Sequence, residues 1–223
     1  MNTPRFSPHN HIFLWDLHDV ILEKSLASWF MSCMRFKRKR EMLRHLNIKS
    51  IKIVFLFVLE RLKLTKKQMV SEELIKAAEA TCNDALVELT VLVCTSYSPM
   101  KNTVTLMHEL SDLGYTHHLG SNIGKTAFDD CTTKFPAIFS LFEQVTIPFE
   151  SPTESAVTRM IKKPHPDFFH AHIQKHNLQP EQVIFIDDKL ANVQAAQSIG
   201  MHAIHFKNTR QLRRDLIKWN IIN

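Results

Sequence analysis

The sequence predicts an α/β protein with a doubly wound, Rossmann-like parallel sheet and an inserted all-helical domain. Short apolar runs alternate with segments whose apolar residues recur at helical spacing, which is typical of a parallel sheet covered by helices on both faces. Between residues 25 and 97 this alternation stops, and apolar residues recur at helical spacing among many Lys, Arg and Glu, with almost no Gly or Pro. We therefore predict a core of residues 1–24 and 98–223 and a helical insert of residues 25–97.

The elements of the predicted core follow from local patterns. His11 to Trp15 is a short apolar run and predicts a buried first strand. Pro99 in a first helical turn, a repeat of leucines and then Gly114 predict a helix with a defined start and end. The other predicted elements are strands at 115–120, 144–148, 182–186 and 202–206 and helices at 167–176 and 190–199, the last closed by Gly200.

Composition favours a soluble globular protein with one active site. The chain has 223 residues, of which 44% are hydrophobic and 22% charged, enough for one core domain with a smaller insert. The apolar run at 53–59 is far shorter than a membrane span, and residues 1–10 lack the apolar centre of a secretory signal. The four cysteines are widely scattered, so we expect reduced thiols in a cytoplasmic protein that does not bind a membrane.

Acidic side chains follow two of the predicted strands, at the edge where open α/β sheets place their chemistry. Asp16 leaves the first strand, and a carboxylate there can act as a nucleophile if a cation offsets its charge. Asp187 and Asp188 follow the apolar run 183–186 and form an oxygen-rich pair suited to Mg²⁺. Together the three carboxylates predict a magnesium site.

Two further polar segments lie at the same predicted edge. Ser121 and Asn122 follow the strand at 115–120, where a hydroxyl and neighbouring backbone N–H groups can donate to phosphoryl oxygens. Lys163 precedes a predicted helix and could neutralise the charge that develops in phosphoryl transfer. Each feature alone is common as a turn or a helix cap, and only their order along the chain is specific.

In that order, the four segments resemble the haloacid dehalogenase-like superfamily of hydrolases, which is dominated by phosphatases. The resemblance covers residues 13–22 and 99–206, and it is clearest in KPHPDFF at 163–169 and from IDD at 186–188 to GMH at 200–202. It points to the branch whose helical cap lies between the first and second segments, which includes sugar-phosphate phosphatases. The resemblance thus implies that residues 25–97 form a cap over a doubly wound sheet.

The resemblance also implies a function: Mg²⁺-dependent hydrolysis of a small phosphomonoester, with sugar phosphates as one class, through an aspartyl-phosphate. The expected partner is a small phosphorylated metabolite, without nucleic acid, and the chain is expected to be a monomer or a homodimer. The family's roles carry over as follows: Asp16 as the nucleophile, Ser121 and Lys163 as phosphate ligands, and Asp16, the His18 carbonyl, Asp187 and Asp188 as Mg²⁺ ligands. From its place beside Ser121 at the strand end, Asn122 is also expected to bind the phosphate.

His18 stands where most phosphatases of the family have a second Asp, which protonates the leaving group and later activates water. Three interpretations stay open. The imidazole could itself move the proton, or only the backbone carbonyl could matter, or catalysis could be lost in a protein that binds a phosphorylated ligand or a partner. A hydrolytic dehalogenase would need no Mg²⁺, and the Asp187–Asp188 pair speaks against it.

Histidines outside these segments have structural interpretations. His172 and His176 are four residues apart on one predicted helix, a spacing that can hold a metal. Without an evident third ligand, we expect a surface helix there. His117 and His118 interrupt an otherwise apolar strand, and we expect one of them to face a neighbouring helix.

Three other stretches remain without a catalytic role. The net charge of +6 would suit any anionic partner, and the basic run at 35–40 fits a solvated helix face. The apolar run at 53–59 fits the interior of the cap or a dimer surface. The segment 149–161 is longer than expected before Lys163, and we expect a loop near the site.

Overall fold

A computed structural model describes residues 6–25, 31, 34, 36–44, 76–94, 96–152 and 158–223. The chain divides into two compact units. The first comprises Met1–Glu23, Pro99–Asn122 and Phe135–Asn223, and the second comprises Lys24–Ser98 and Ile123–Lys134. Residues 123–134, which we assign to the core from the sequence, cluster with the second unit.

Within the described residues, nine strands and eight α-helices have defined bounds. The strands are β1 Ile12–Trp15, β2 Leu22–Lys24, β3 Tyr97–Pro99, β4 Thr116–Gly120, β5 Phe142–Thr146, β6 Phe149–Pro152, β7 Thr158–Ile161, β8 Val183–Asp187 and β9 His202–His205. The helices are α1 Lys39–Arg44, α2 Asp84–Cys94, α3 Lys101–Asp112, α4 Lys125–Lys134, α5 Pro136–Phe139, α6 Pro166–Lys175, α7 Leu190–Ser198 and α8 Thr209–Lys218. No helix in these ranges is long and apolar enough to cross a membrane.

The first unit is built on a five-stranded parallel sheet with strand order β5-β4-β1-β8-β9. The predicted α/β class with a Rossmann-like parallel sheet is confirmed. Connections run outward from β1 in one direction through β4 and β5 and in the other through β8 and β9, so the strand order reverses beside β1. Such a reversal opens a crevice at the carboxyl ends of the strands, where α/β proteins bind their ligands.

Several predicted boundaries need correction. Pro99 lies in β3 rather than in a first helical turn, because α3 begins at Lys101. The strand predicted at 144–148 lies two residues earlier, since pairing with β4 sets its register. The segment 149–161 is not simply a loop, because β6 and β7 pair as an antiparallel hairpin. We did not predict α4, α5 or α8.

The described part of the second unit contains the helices α1, α2 and α4. Arg38, from the basic run, pairs with Glu41 and with Glu88, 3.1 Å away, on the exposed surface. The paired, exposed guanidinium fits the solvated helix face that we expect. The run 53–59 lies outside the described residues, and the extent of the helical cap stays a prediction.

One face of the parallel sheet packs against α6 and α7. Alternate residues of a strand point to the same face, and parallel pairing places Leu14 beside Phe185. Both are fully buried against Phe168 and Phe169 of α6. Burying one such side chain contributes roughly 1.5–3 kcal/mol. This packing holds α6, and the segment leading into it, against the sheet.

The opposite face of the sheet packs against α3 through a hydrogen-bonded chain. The Trp15 indole N–H donates to His117 Nδ1 at 3.0 Å, and His117 Nε2 donates to the Met107 carbonyl at 3.0 Å. Burial, against the opposing effect of the Met107 carbonyl, lowers the pKa of His117 to about 4. His117 is therefore a neutral core residue that joins the sheet to a helix.

A second group of histidines lies between β4, β5 and α6. His118 Nδ1 and His172 Nε2 are 3.1 Å apart, and His172 Nδ1 lies 2.8 Å from the Thr146 hydroxyl. His176 completes the group, with its ring 4.9 Å from that of His172. The surface-helix prediction is wrong for His172, which is fully buried, because a neutral imidazole with both nitrogens hydrogen-bonded can pack like an aromatic ring.

Mild acid should destabilise this histidine group. Burial lowers the pKa of His118 to about 4 and that of His172 to about 3, below the value of about 6.5 in an unfolded chain. The unfolded chain therefore binds more protons below pH 6.5, and stability is lost as the pH falls. For each histidine, the free energy of unfolding should fall by about 2 kcal/mol between pH 7 and pH 5.

The prediction can be checked by urea unfolding at pH 7 and pH 5 of the wild type and a H118N/H172Q variant. The variant removes both groups but keeps every carboxylate, so it should lose less stability on acidification. The same pH dependence in both proteins would contradict the assignment.

Candidate active site

Three carboxylates meet at the carboxyl edge of the sheet, beside the reversal of strand order. Asp16 follows β1, and its N–H donates to the Ile186 carbonyl at 2.9 Å, so parallel pairing continues to the site. Asp187 ends β8, and Asp188 comes next. Oxygen atoms of Asp16, Asp187 and Asp188 lie within 4.8 Å of one another. Because β1 and β8 run parallel and in register, their ends bring these groups together.

Lys163 neutralises part of this negative charge. Its ammonium group donates to Asp16 Oδ1 at 2.8 Å, to Asp187 Oδ2 at 2.7 Å and to the Gly120 carbonyl at 2.5 Å. These bonds use all three donors of the ammonium group. Burial lowers the pKa of Lys163, but the two carboxylates outweigh this effect and raise the pKa above its usual value. The lysine is therefore a charged, almost completely buried counterion.

Both carboxylate oxygens of Asp187 accept hydrogen bonds from the protein. Its Oδ1 accepts from the Lys189 N–H at 2.8 Å and from Asn192 Nδ2 at 2.9 Å, and its Oδ2 accepts from Lys163 and, at 2.9 Å, from Asn192. Burial, together with the charge of Asp16, raises the pKa of Asp187 above its usual value, although Lys163 acts to lower it. The Asn192 amide therefore orients the Asp187 carboxylate.

Asp188 differs from its neighbour because one of its oxygens is unused. Its Oδ1 is buried and has no hydrogen-bond partner among the described residues. Burial, and then the charge of Asp16, raises the pKa of Asp188 to about 7. His205 at the end of β9 donates to the Asp188 carbonyl at 2.9 Å and fixes the backbone there. We did not identify His205 from the sequence, although its predicted strand lies next to that of Asp187.

The donor set fits a hard divalent cation. Mg²⁺ prefers carboxylate oxygens, and an unpartnered buried carboxylate oxygen is costly unless a ligand completes it. When all three carboxylates are ionised, they and the one ammonium group leave two negative charges, which one divalent ion would balance. Asp16 and Asp188 are thus the side chains best placed to hold the ion, while Asp187 is already satisfied by Lys163, Asn192 and Lys189.

Ser121 and Asn122 occupy the end of β4 but make different contacts. Ser121 is fully buried, and its hydroxyl has no hydrogen-bond partner among the described residues. The Asn122 side chain instead pairs with the Lys163 backbone, donating to its carbonyl at 2.8 Å and accepting from its N–H at 2.9 Å. Ser121 therefore keeps a free donor for a ligand, whereas the side chain of Asn122 is engaged within the protein.

The loop after Asp16 is fixed by its own backbone. The Leu22 N–H donates to the Leu17 carbonyl at 2.8 Å, and the Asp19 N–H donates to the Leu22 carbonyl at 2.8 Å. Asp19 is exposed and has a φ of 60°, in the left-handed region. His18, two residues after Asp16, is half-buried and forms an isolated β-bridge with Leu22.

These features agree with a match to a known family. A sequence profile described as haloacid dehalogenase-like hydrolase matches residues 12–200. The chain belongs to the haloacid dehalogenase-like hydrolases. Among curated proteins, a glyceraldehyde 3-phosphate phosphatase from Pyrococcus furiosus is 33% identical over 57 residues, which cover 25% of this chain and 24% of that protein. The chain therefore matches about a quarter of the length of that relative.

Solved structures of other haloacid dehalogenase-like hydrolases share the fold. A family enzyme from Bacteroides thetaiotaomicron, determined with magnesium and inorganic phosphate, aligns with a TM-score of 0.55 at 17% identity, covering 88% of this chain and 94% of that one. An L-2-haloacid dehalogenase from Xanthobacter autotrophicus aligns with a TM-score of 0.53 at 14% identity, covering 95% and 84%. At these identities the likeness shows the fold alone.

The free oxygen of Asp188 gives a test of the cation site. The substitution Asp188→Asn should weaken Mg²⁺ binding by more than about 10-fold, since losing even an outer-sphere partner costs roughly 10–100-fold. Titration calorimetry with Mg²⁺ measures the change. Asp112→Asn makes the same chemical change at an exposed position and should bind like the wild type. Equal affinity in both variants would rule out Asp188 as a ligand.

Proposed function

We propose that this hydrolase is a Mg²⁺-dependent phosphatase that acts on a small phosphomonoester through an aspartyl-phosphate on Asp16. One observation carries the proposal. Asp16 forms a salt bridge with the buried Lys163, beside an acidic pair in which Asp188 Oδ1 has no hydrogen-bond partner among the described residues. That arrangement provides an oriented nucleophile, a fixed positive charge and a site for a cation in one place.

In the first step, an Asp16 oxygen attacks the substrate phosphorus. Lys163 holds Oδ1, which leaves Oδ2 to form the new bond. The bond from phosphorus to the ester oxygen breaks, and that oxygen leaves as the alcohol after it gains a proton. Asp16, Asp188 and the His18 carbonyl would hold Mg²⁺, and the ion would supply positive charge to offset that of the phosphoryl group, while Asp187 orients Lys163.

In the second step, water attacks the phosphorus of the aspartyl-phosphate. Inorganic phosphate leaves, and the Asp16 carboxylate is regenerated. The buried Ser121 hydroxyl can donate to a phosphoryl oxygen in both steps. An unsatisfied buried hydroxyl costs about 1–3 kcal/mol, so an oxygen-rich ligand would recover that energy on binding. The positive charge of Lys163 attracts the same group.

Two further points support a phosphorylated metabolite as the substrate, and a third concerns the location. The Pyrococcus furiosus relative is a phosphatase by name, and the Bacteroides thetaiotaomicron structure holds magnesium and inorganic phosphate. The described cysteines Cys82 and Cys131 are free thiols, which suits the reducing cytoplasm that we propose as the location. Sugar phosphates remain one candidate class, and the monomeric or dimeric state stays a prediction.

The substitution Asp16→Asn tests the nucleophile. It should reduce Mg²⁺-dependent hydrolysis of p-nitrophenyl phosphate by at least about 10⁴-fold, because an amide cannot form the phosphoenzyme. Asp112→Asn serves as the matched control. A broad panel of phosphomonoesters with Mg²⁺ or with a chelator provides the comparison.

Other outcomes would point elsewhere. Full activity of D16N would contradict nucleophilic attack by Asp16. Turnover of haloacids that resists the chelator would favour a dehalogenase. Tight binding of inorganic phosphate without turnover across the panel would favour a catalytically silent binding protein.

The role of His18 can be tested with two substrates. We propose that its imidazole supplies the leaving-group proton, which an alkyl phosphate needs and p-nitrophenyl phosphate does not. The substitution His18→Ala should therefore lower kcat about 100-fold on an alkyl phosphate and change it little on p-nitrophenyl phosphate. An equal, small effect on both substrates would instead assign the role at this position to the backbone carbonyl.

A further inference from the structure

Asn122 forms a two-point contact with the Lys163 backbone. Its Nδ2 donates to the Lys163 carbonyl at 2.8 Å, and its Oδ1 accepts from the Lys163 N–H at 2.9 Å. The two residues are 41 positions apart in the chain. The contact therefore joins the end of β4 to the segment that leads into α6.

The other end of Lys163 is held by the same stretch of chain. The ammonium group donates to the Gly120 carbonyl at 2.5 Å, at the last residue of β4. Residues 120–122 thus hold the lysine at its N–H, its carbonyl and its ammonium group. A lysine side chain has four rotatable bonds, so fixing both ends removes most of its freedom. These contacts place the Lys163 ammonium group between Asp16 and Asp187.

We propose that Asn122 is a positioning residue that fixes Lys163 between the two carboxylates, rather than a ligand of the substrate phosphate. This inference rests on the proposed role of Asp16 as nucleophile. Only an amide side chain offers a donor and an acceptor side by side, which the adjacent N–H and C=O of one residue require. An aspartate would place a negative oxygen against the Lys163 carbonyl.

A double-mutant cycle separates the two roles. If Asn122 acts through Lys163, Asn122→Ala should lower kcat on p-nitrophenyl phosphate by about 100-fold, as expected when a catalytic group is misplaced. KM should stay within about threefold of the wild type, because no substrate contact is lost. In a Lys163→Met background, the same substitution should change kcat less than about threefold. A raised KM with kcat retained, or equal losses in both backgrounds, would overturn the proposal.

Amide hydrogen exchange gives a second readout that needs neither turnover nor a folded K163M variant. Loss of the Oδ1 acceptor should speed exchange at the Lys163 N–H by about 10-fold or more in N122A. Asn102→Ala, at an exposed position of α3, should leave both exchange and kcat unchanged. Unchanged exchange at Lys163 in N122A would overturn the proposal. Full activity of D16N would refute the proposed nucleophile and leave the exchange result standing.

Discussion

The structure of the site depends on one buried cation between two carboxylates. Lys163 binds Asp16 and Asp187 at 2.8 and 2.7 Å, and all three side chains are almost fully buried. A buried charge without a partner costs several kcal/mol, so the three groups are stable only together. They come from the end of β1, the end of β8 and the segment before α6. The parallel sheet must therefore be formed before the site can exist.

This charge arrangement explains the division of labour between the two adjacent aspartates. Both oxygens of Asp187 accept hydrogen bonds, which come from Lys163, Asn192 and the Lys189 N–H. Asp188 keeps a buried oxygen with no described partner, and its raised pKa of about 7 reflects burial and the excess negative charge beside it. One aspartate anchors the network, and the other is available to a cation.

The sequence predicts the parts of this site that depend on strand ends. Asp16 and the Asp187–Asp188 pair follow short apolar runs, and the carboxyl ends of parallel strands meet at one edge. The pairing of Asn122 with the Lys163 backbone crosses 41 residues, and no local pattern carries that information. His172 was misjudged for a related reason: histidines four residues apart look polar, while burial depends on hydrogen bonds to another strand and on packing against the sheet.

The most direct test of the account is to trap the covalent intermediate on Asp16. Wild-type protein is mixed with Mg²⁺ and a turned-over phosphomonoester, quenched rapidly, reduced with borohydride and digested for mass spectrometry. The account predicts reduction at Asp16 alone, dependent on both substrate and Mg²⁺, because only an aspartyl-phosphate is reduced under these conditions. Turnover without modification of Asp16, or modification at Asp187 or Asp188 instead, would contradict it.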